Sequence, residues 1–187
     1  HNVLCNKTRI FFLKILKKVN ANIKIKNLRK VSGELVGSIV VKSSRLKPIN
    51  VSKNVGKFID ELPILFVIAS LTKGISKFKN IGDLKHKESN RLLESKKILT
   101  QAGIKCKITK DSMIIFGQDK NEINFNNKII FTKTKDDHRI CMSSAILALV
   151  TGIRTKIKNF ETVKTSSPSF LNLIKSLGGK FEIKKTS

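Results

Sequence analysis

The stretch "TQAGIKCKI", residues 100–108, decides how this chain is read. It holds the tail of an amphipathic helix, a turn of small residues, and a strand whose apolar residues alternate with lysines. The same succession occurs in "KKVNANIKI" at 17–25 and in "KSLGGKFEI" at 175–183. A second element also recurs. "IASLTKGISKFKNI" at 68–81 and "ILALVTGIRTKIKNF" at 146–160 each join an apolar helix to an alternating strand, and Gly74 and Gly152 sit where a helix would stop. Copies of each element lie about 80 residues apart. Each unit therefore reads as alternating strands and two helices, one nearly all apolar and buried, one amphipathic and partly exposed. Strands interleaved with helices at this spacing predict an α/β (α+β) fold in which helices cover sheets. No linker rich in Pro, Gly or Ser divides the chain, so residues 1–187 read as one domain of three repeated units, roughly 1–55, 56–130 and 131–187. The polar stretch "GQDKNEINFNNK" at 117–128 reads as a surface excursion.

A chain of 187 residues can bury a sizeable core. His1 stands where an initiator Met is expected, so the chain reads as a piece of something longer. Cys5, Cys106 and Cys141 are odd in number and widely spaced, which argues against a disulfide framework and a zinc site and for a reducing, cytoplasmic setting. The longest apolar run, "LPILFVIASL" at 62–71, falls short of the roughly 20 residues that cross a bilayer. A net charge of +25 would ordinarily point to nucleic acid. Here it comes from 32 Lys against 6 Arg, scattered through every segment, with no Tyr or Trp for base stacking. With abundant Ile and Asn, that composition reads as AT-rich codon usage spread over solvated faces. The scarcity of Arg makes each one informative, because the guanidinium fork grips planar anions at two points.

Five places read as helix N-termini: Asn6 or Thr8 ahead of Arg9, Asp60 ahead of Pro63, Ser89 ahead of Arg91, Asp137 ahead of His138 and Arg139, and Ser167 ahead of Pro168. A helix start offers unpaired N–H groups and the positive end of a dipole. Arg91 and Arg139 each follow their cap by two residues, so two guanidiniums could hold a doubly charged, planar anion. Glu88 and Asp60 are the acid–base candidates. The residues alone leave open whether these are ordinary caps with solvated arginines or one anion site.

"DELPILFVIASLTKG" (60–74), "LKHKESNRL" (84–92) and "DDHRICMSSAILAL" (136–149), in that order and spacing, resemble the 5-enolpyruvylshikimate-3-phosphate synthase family, the 3-phosphoshikimate 1-carboxyvinyltransferases. "KTRIFFLKILKKVNANIKI" (7–25), "KSSRLKPINV" (42–51) and "SSPSFLNLIKSLGGKFEI" (166–183) extend the likeness over essentially the whole chain. The resemblance implies one domain of a two-domain fold, built of βαβαββ units in a pseudo-threefold arrangement, with an N-terminal partner domain that this chain lacks. It implies transfer of the enolpyruvyl group of phosphoenolpyruvate to the 5-hydroxyl of shikimate 3-phosphate with release of phosphate, a step of chorismate and aromatic amino acid biosynthesis. It implies no metal or organic cofactor, no nucleic-acid or membrane partner, and a monomer when complete. By this resemblance Asp60 contacts the shikimate hydroxyls and accepts the 5-hydroxyl proton, and Glu88 is its partner in proton transfer at the phosphoenolpyruvate methylene. Arg91, Arg139 and Lys164 bind phosphoenolpyruvate, Lys87 binds shikimate 3-phosphate, and His138 lines the site.

Three positions depart from the family pattern. Asn90 stands where KES-D-R has Asp, which predicts altered support of Arg91. Lys164 lies one position earlier than the lysine of one family branch, and "CNKTR" lacks the usual Pro before Arg9. The competing readings are a UDP-N-acetylglucosamine enolpyruvyl transferase, which KES-x-R disfavours, and a basic nucleic-acid-binding domain. The chain alone is expected to be inactive.

Overall fold

The computed structural model describes residues 2–134 and 136–184, so His1, whose place at the head of the chain suggested a longer protein, lies outside the described residues. From its amino end the chain forms β1 (Val3–Leu4), α1 (Phe11–Lys18), β2 (Asn22–Val31) and β3 (Glu34–Lys42), paired antiparallel in the order β1-β3-β2. The alternation ending at Ile25 sets the faces of β2, with Ile23 buried and Lys24 and Lys26 exposed. The hairpin turns on Ser32 and Gly33, both at positive φ, which suits the right-handed twist of the two strands.

The next elements are β4 (Asn50–Val51), α2 (Leu62–Ser70), β5 (Gly74–Phe78), α3 (Arg91–Gln101), β6 (Lys105–Ile108) and β7 (Met113–Gly117). Their strand order is β4-β5-β7-β6, with β4 parallel to β5 and the other pairs antiparallel. The chain ends its described course with β8 (Ile129–Lys133), α4 (His138–Thr151), β9 (Arg154–Lys158), α5 (Thr162–Ser166) and α6 (Phe170–Ser176). β8 and β9 pair in parallel. Two modules thus recur: a parallel strand–helix–strand crossover (β4-α2-β5 and β8-α4-β9) and a helix followed by an antiparallel hairpin (α1-β2-β3 and α3-β6-β7).

Burial follows the apolar sequence. Leu62, Pro63, Leu65, Phe66, Val67 and Ala69 place nearly every side of α2 in the core, where Phe66 meets Phe78 edge to face at 4.8 Å. α3 buries Leu92, Ile98 and Leu99 and leaves Leu93, Lys97 and Thr100 in solvent, as an amphipathic helix should. α4 differs from the expectation of a buried apolar helix, since only Ile140, Cys141, Ser143, Ser144 and Leu147 are buried and Val150 is exposed. It is covered on one side by α2 and α3 and on the other by the small cluster of Val163, Phe170 and Ile174.

Several sequence readings need correction. Gly152 does end α4, at a φ of 75°, but α2 stops at Ser70 and Gly74 opens β5 instead. The Thr72 hydroxyl and the Ser70 hydroxyl bond back to the Ile68 and Val67 carbonyls and close α2 without it. Neither Asn6 nor Thr8 caps α1, which starts after Ile10, and the Asn6 amide is taken by Glu34. Ser167, the residue before Pro168, ends α5 outside the helical region, and α6 begins only at Phe170. The strand expected at "GKFEI" does not form. Its counterpart β6 is held only by β7, and no β7 equivalent occurs among the described residues to supply the ladder.

Candidate active site

Three helix starts meet at one place. A 3-10 turn, Ile59–Glu61, leads into α2, and a second one, Gly82–His86, leads through Lys87–Asn90 into α3. Asp137 opens α4. Arg91, the first residue of α3, lies among them and is 1% exposed. A buried guanidinium is tolerable only when its donors are met, and all three of its nitrogens are. Nε donates to Asp137 Oδ2 at 3.0 Å, one terminal nitrogen to Asp60 Oδ1 at 2.9 Å, and the other to Glu88 Oε2 at 2.5 Å.

The acids differ in exposure. Asp137 is fully buried, whereas the side chains of Asp60 and Glu88 are 42% and 49% exposed. Lys87 Nζ lies 3.2 Å from the same Asp60 oxygen that Arg91 holds. Arg139 reaches the cluster from α4, donating to the backbone carbonyl of Asp60 at 2.9 Å and lying 3.6 Å from Glu61 Oε1. Partial burial pushes the Asp60 carboxyl up, but the Lys87 hydrogen bond and the charges of Arg139, Lys87 and Arg91 outweigh it and hold Asp60 below its usual range. Asp60 therefore rests on Arg91 as a carboxylate, with Lys87 on the same oxygen.

The structure brings Asp60, Lys87, Glu88, Arg91 and Arg139 together. His138 is the first residue of α4, half-buried, and enters none of the hydrogen bonds or ion pairs among the described residues that build the cluster. Lys164 is exposed on α5, whose first residue, Thr162, donates to the Asp136 carbonyl at 2.9 Å and so ties this helix beside the start of α4. The expectations for Ser89 and Asn90 change. Asn90, not Ser89, caps α3, accepting from the Leu93 N–H at 3.0 Å, and Arg91 takes its support from acids instead. Asn caps as well as Asp, so this departure leaves the helix start intact.

Sequence reasoning took Asp137 for a cap and missed its second task. Oδ1 accepts from the N–H groups of Arg139 and Ile140, while Oδ2 accepts from Ser89 Oγ at 2.7 Å and from Arg91. Glu61, the partner of Arg139, was also passed over. The paired acids of "DDHR" and of "DE" were the available signal. The cysteines belong elsewhere: burial pushes the Cys106 thiol up to about 12 and also raises that of Cys141, which suits inert packing residues.

A mixed α/β fold with repeated strand–helix–strand elements agrees with one domain of the enolpyruvyl transferase fold. The chain belongs to the family described as EPSP synthase (3-phosphoshikimate 1-carboxyvinyltransferase), whose sequence profile matches residues 1–174. It is 38% identical over 175 residues to the 3-phosphoshikimate 1-carboxyvinyltransferase of Clostridium tetani, covering 93% of this chain and 39% of that protein. The enzyme of the same description from Campylobacter concisus is 37% identical over 184 residues, covering 97% of this chain and 40% of that protein. Among solved structures, an EPSP synthase from Acinetobacter baumannii superposes with a TM-score of 0.84 at 32% identity, covering 98% of this chain and 42% of that one. The chain thus spans about two fifths of the length of the relatives it matches. Among the described residues, no helix is long and apolar enough to cross a membrane.

Proposed function

We propose that this chain carries the phosphoenolpyruvate side of a site that transfers an enolpyruvyl group to the 5-hydroxyl of shikimate 3-phosphate. The observation that carries the reading is the sharing of one guanidinium, Arg91, by two half-exposed acids, Asp60 and Glu88. The reaction needs a base for the hydroxyl, an acid for the methylene, and cations for carboxylate and phosphate. Glu88 delivers a proton to the methylene carbon as the 5-hydroxyl oxygen bonds to the adjacent carbon and gives its own proton to Asp60. Phosphate then leaves the tetrahedral adduct, taking the proton from Asp60, and the methyl group returns a proton to Glu88 as the double bond is restored.

Arg91, Arg139 and Lys164 hold phosphoenolpyruvate, and Lys87 holds shikimate 3-phosphate beside Asp60, with His138 lining the site. Entry of the anion asks Asp60 and Glu88 to leave the outer edge of Arg91, the first for the sugar hydroxyls and the second for the methylene. The stretch of the relatives that this chain does not span supplies the rest of the shikimate 3-phosphate site in this reading, as a partner domain.

Titrating the isotope-labelled chain with phosphoenolpyruvate tests the proposal. The expected result is perturbation centred on the Arg91 and Arg139 side chains and the starts of α3 and α4. With shikimate 3-phosphate added, the purified chain should release no phosphate above background. Perturbations that avoid both arginines would overturn the site, and turnover by the chain alone would overturn the need for a partner domain.

A further inference from the structure

We propose that Asp137 is a positioning residue that fixes the Arg91 guanidinium against the start of α4, from which Arg139 departs. The inference deepens the transfer reading only in its binding arm; the geometry stands without it. Asp137 is fully buried, and its two oxygens divide four donors between two helices. Oδ1 belongs to α4, holding the N–H groups of Arg139 and Ile140 at 3.1 and 3.3 Å. Oδ2 belongs to α3, holding Ser89 Oγ at 2.7 Å and Arg91 Nε at 3.0 Å.

The inner edge of Arg91 is therefore committed, while its outer nitrogens rest on acids that are half in solvent and can move away. A charged pair removed from water is held rigidly because release would leave each partner buried and unmet. Arg139 leaves α4 one residue after the helix begins and is thereby referred to the same carboxylate.

The isosteric change Asp137→Asn separates positioning from folding. Asn is a favoured cap, so its one acceptor oxygen can serve the α4 N–H groups, and its amide then faces Ser89 and Arg91. The Ser89 hydroxyl can turn and accept; the Arg91 Nε–H cannot. In the 187-residue chain, the Arg91 Nε–H resonance, identified by its loss in Arg91→Lys, should exchange slowly with solvent. In Asp137→Asn it should exchange faster by about ten- to a hundredfold, the scale of a lost charge-assisted hydrogen bond. Amide protection across α4 should persist, and Ser89→Ala should have a smaller effect.

Unchanged Arg91 Nε–H exchange in folded Asp137→Asn would overturn the proposal. So would loss of protection spread evenly over α4, which marks a purely structural role. If Asp137→Asn fails to fold, the wild-type chain decides the matter: an Arg91 Nε–H that exchanges as fast as that of exposed Arg154 sinks the shared-carboxylate arrangement. Phosphoenolpyruvate binding should weaken in Asp137→Asn in step with Arg91 exchange. A wild-type chain that binds none sinks the transfer reading, while the exchange comparison still decides the role of Asp137.

Discussion

At the scale of single residues, the cations around Asp60 make it a pH-dependent contributor. Because its folded-state ionisation lies below that of the unfolded chain, its stabilisation is present above the ordinary carboxylate range, near pH 4, and fades as pH falls through the lowered value. Asp60→Asn cannot lose that contribution on acidification. The melting-temperature gap between wild type and Asp60→Asn should therefore narrow as pH drops from about 5 to about 3. A gap that widens would show that Lys87 and the two arginines do not act on this carboxyl. Glu88 makes a different claim. In an enzyme of full family length built around this segment, Glu88→Gln should lower kcat by ~10²-fold or more, the scale of a positioned acid. The amide leaves Arg91 less firmly held, so KM for phosphoenolpyruvate should not rise. A higher KM with kcat preserved would make Glu88 a binding group only.

Elements depend on their caps, and here the reading of the sequence was uneven. The strands ending at Ile25 and Ile108, and the joins of α2 to β5 and α4 to β9, were legible, because alternation and helical period are local signals that tertiary packing reinforces. The helix starts were less so. Ser89, Thr8 and Ser167 have the right chemistry for caps, yet each is claimed by something outside its helix or lies too early in the chain. Asn90→Ala removes the acceptor for the Leu93 N–H and should cost about 1 kcal/mol in denaturant unfolding, without loosening Arg91. A cost near zero would mean that α3 is held by packing alone. The unformed strand at "GKFEI" carries the same lesson, since a strand needs a neighbour and no pattern in its own residues can report one.

Over the whole molecule, charge is spread rather than gathered. The +25 of the chain is carried by lysines in every segment, whereas the cluster at the helix starts balances Lys87, Arg91 and Arg139 against Asp60, Glu61, Glu88 and Asp137. Diffuse surface charge is screened within about 8 Å at physiological salt. A random-sequence DNA duplex should therefore dissociate from the chain at about 0.15 M salt, and retention there would revive a nucleic-acid role. Asp60, Glu88, Arg91 and Arg139 were legible as candidates because rare residue types stood at helix starts. The contacts of Arg91 with Asp60 and Asp137, and of Arg139 with Asp60, were not legible, because they join segments 31 to 79 residues apart in sequence.

The occupied outer edge of Arg91 also bears on the salt that surrounds the protein. Chloride or acetate brings one charge and would have to evict a carboxylate already seated there, so it gains little by entering. A small molecule with two negative groups would replace both tenants at once, so in the proposed reading the acids assigned the proton transfers also hold ordinary electrolyte away from Arg91.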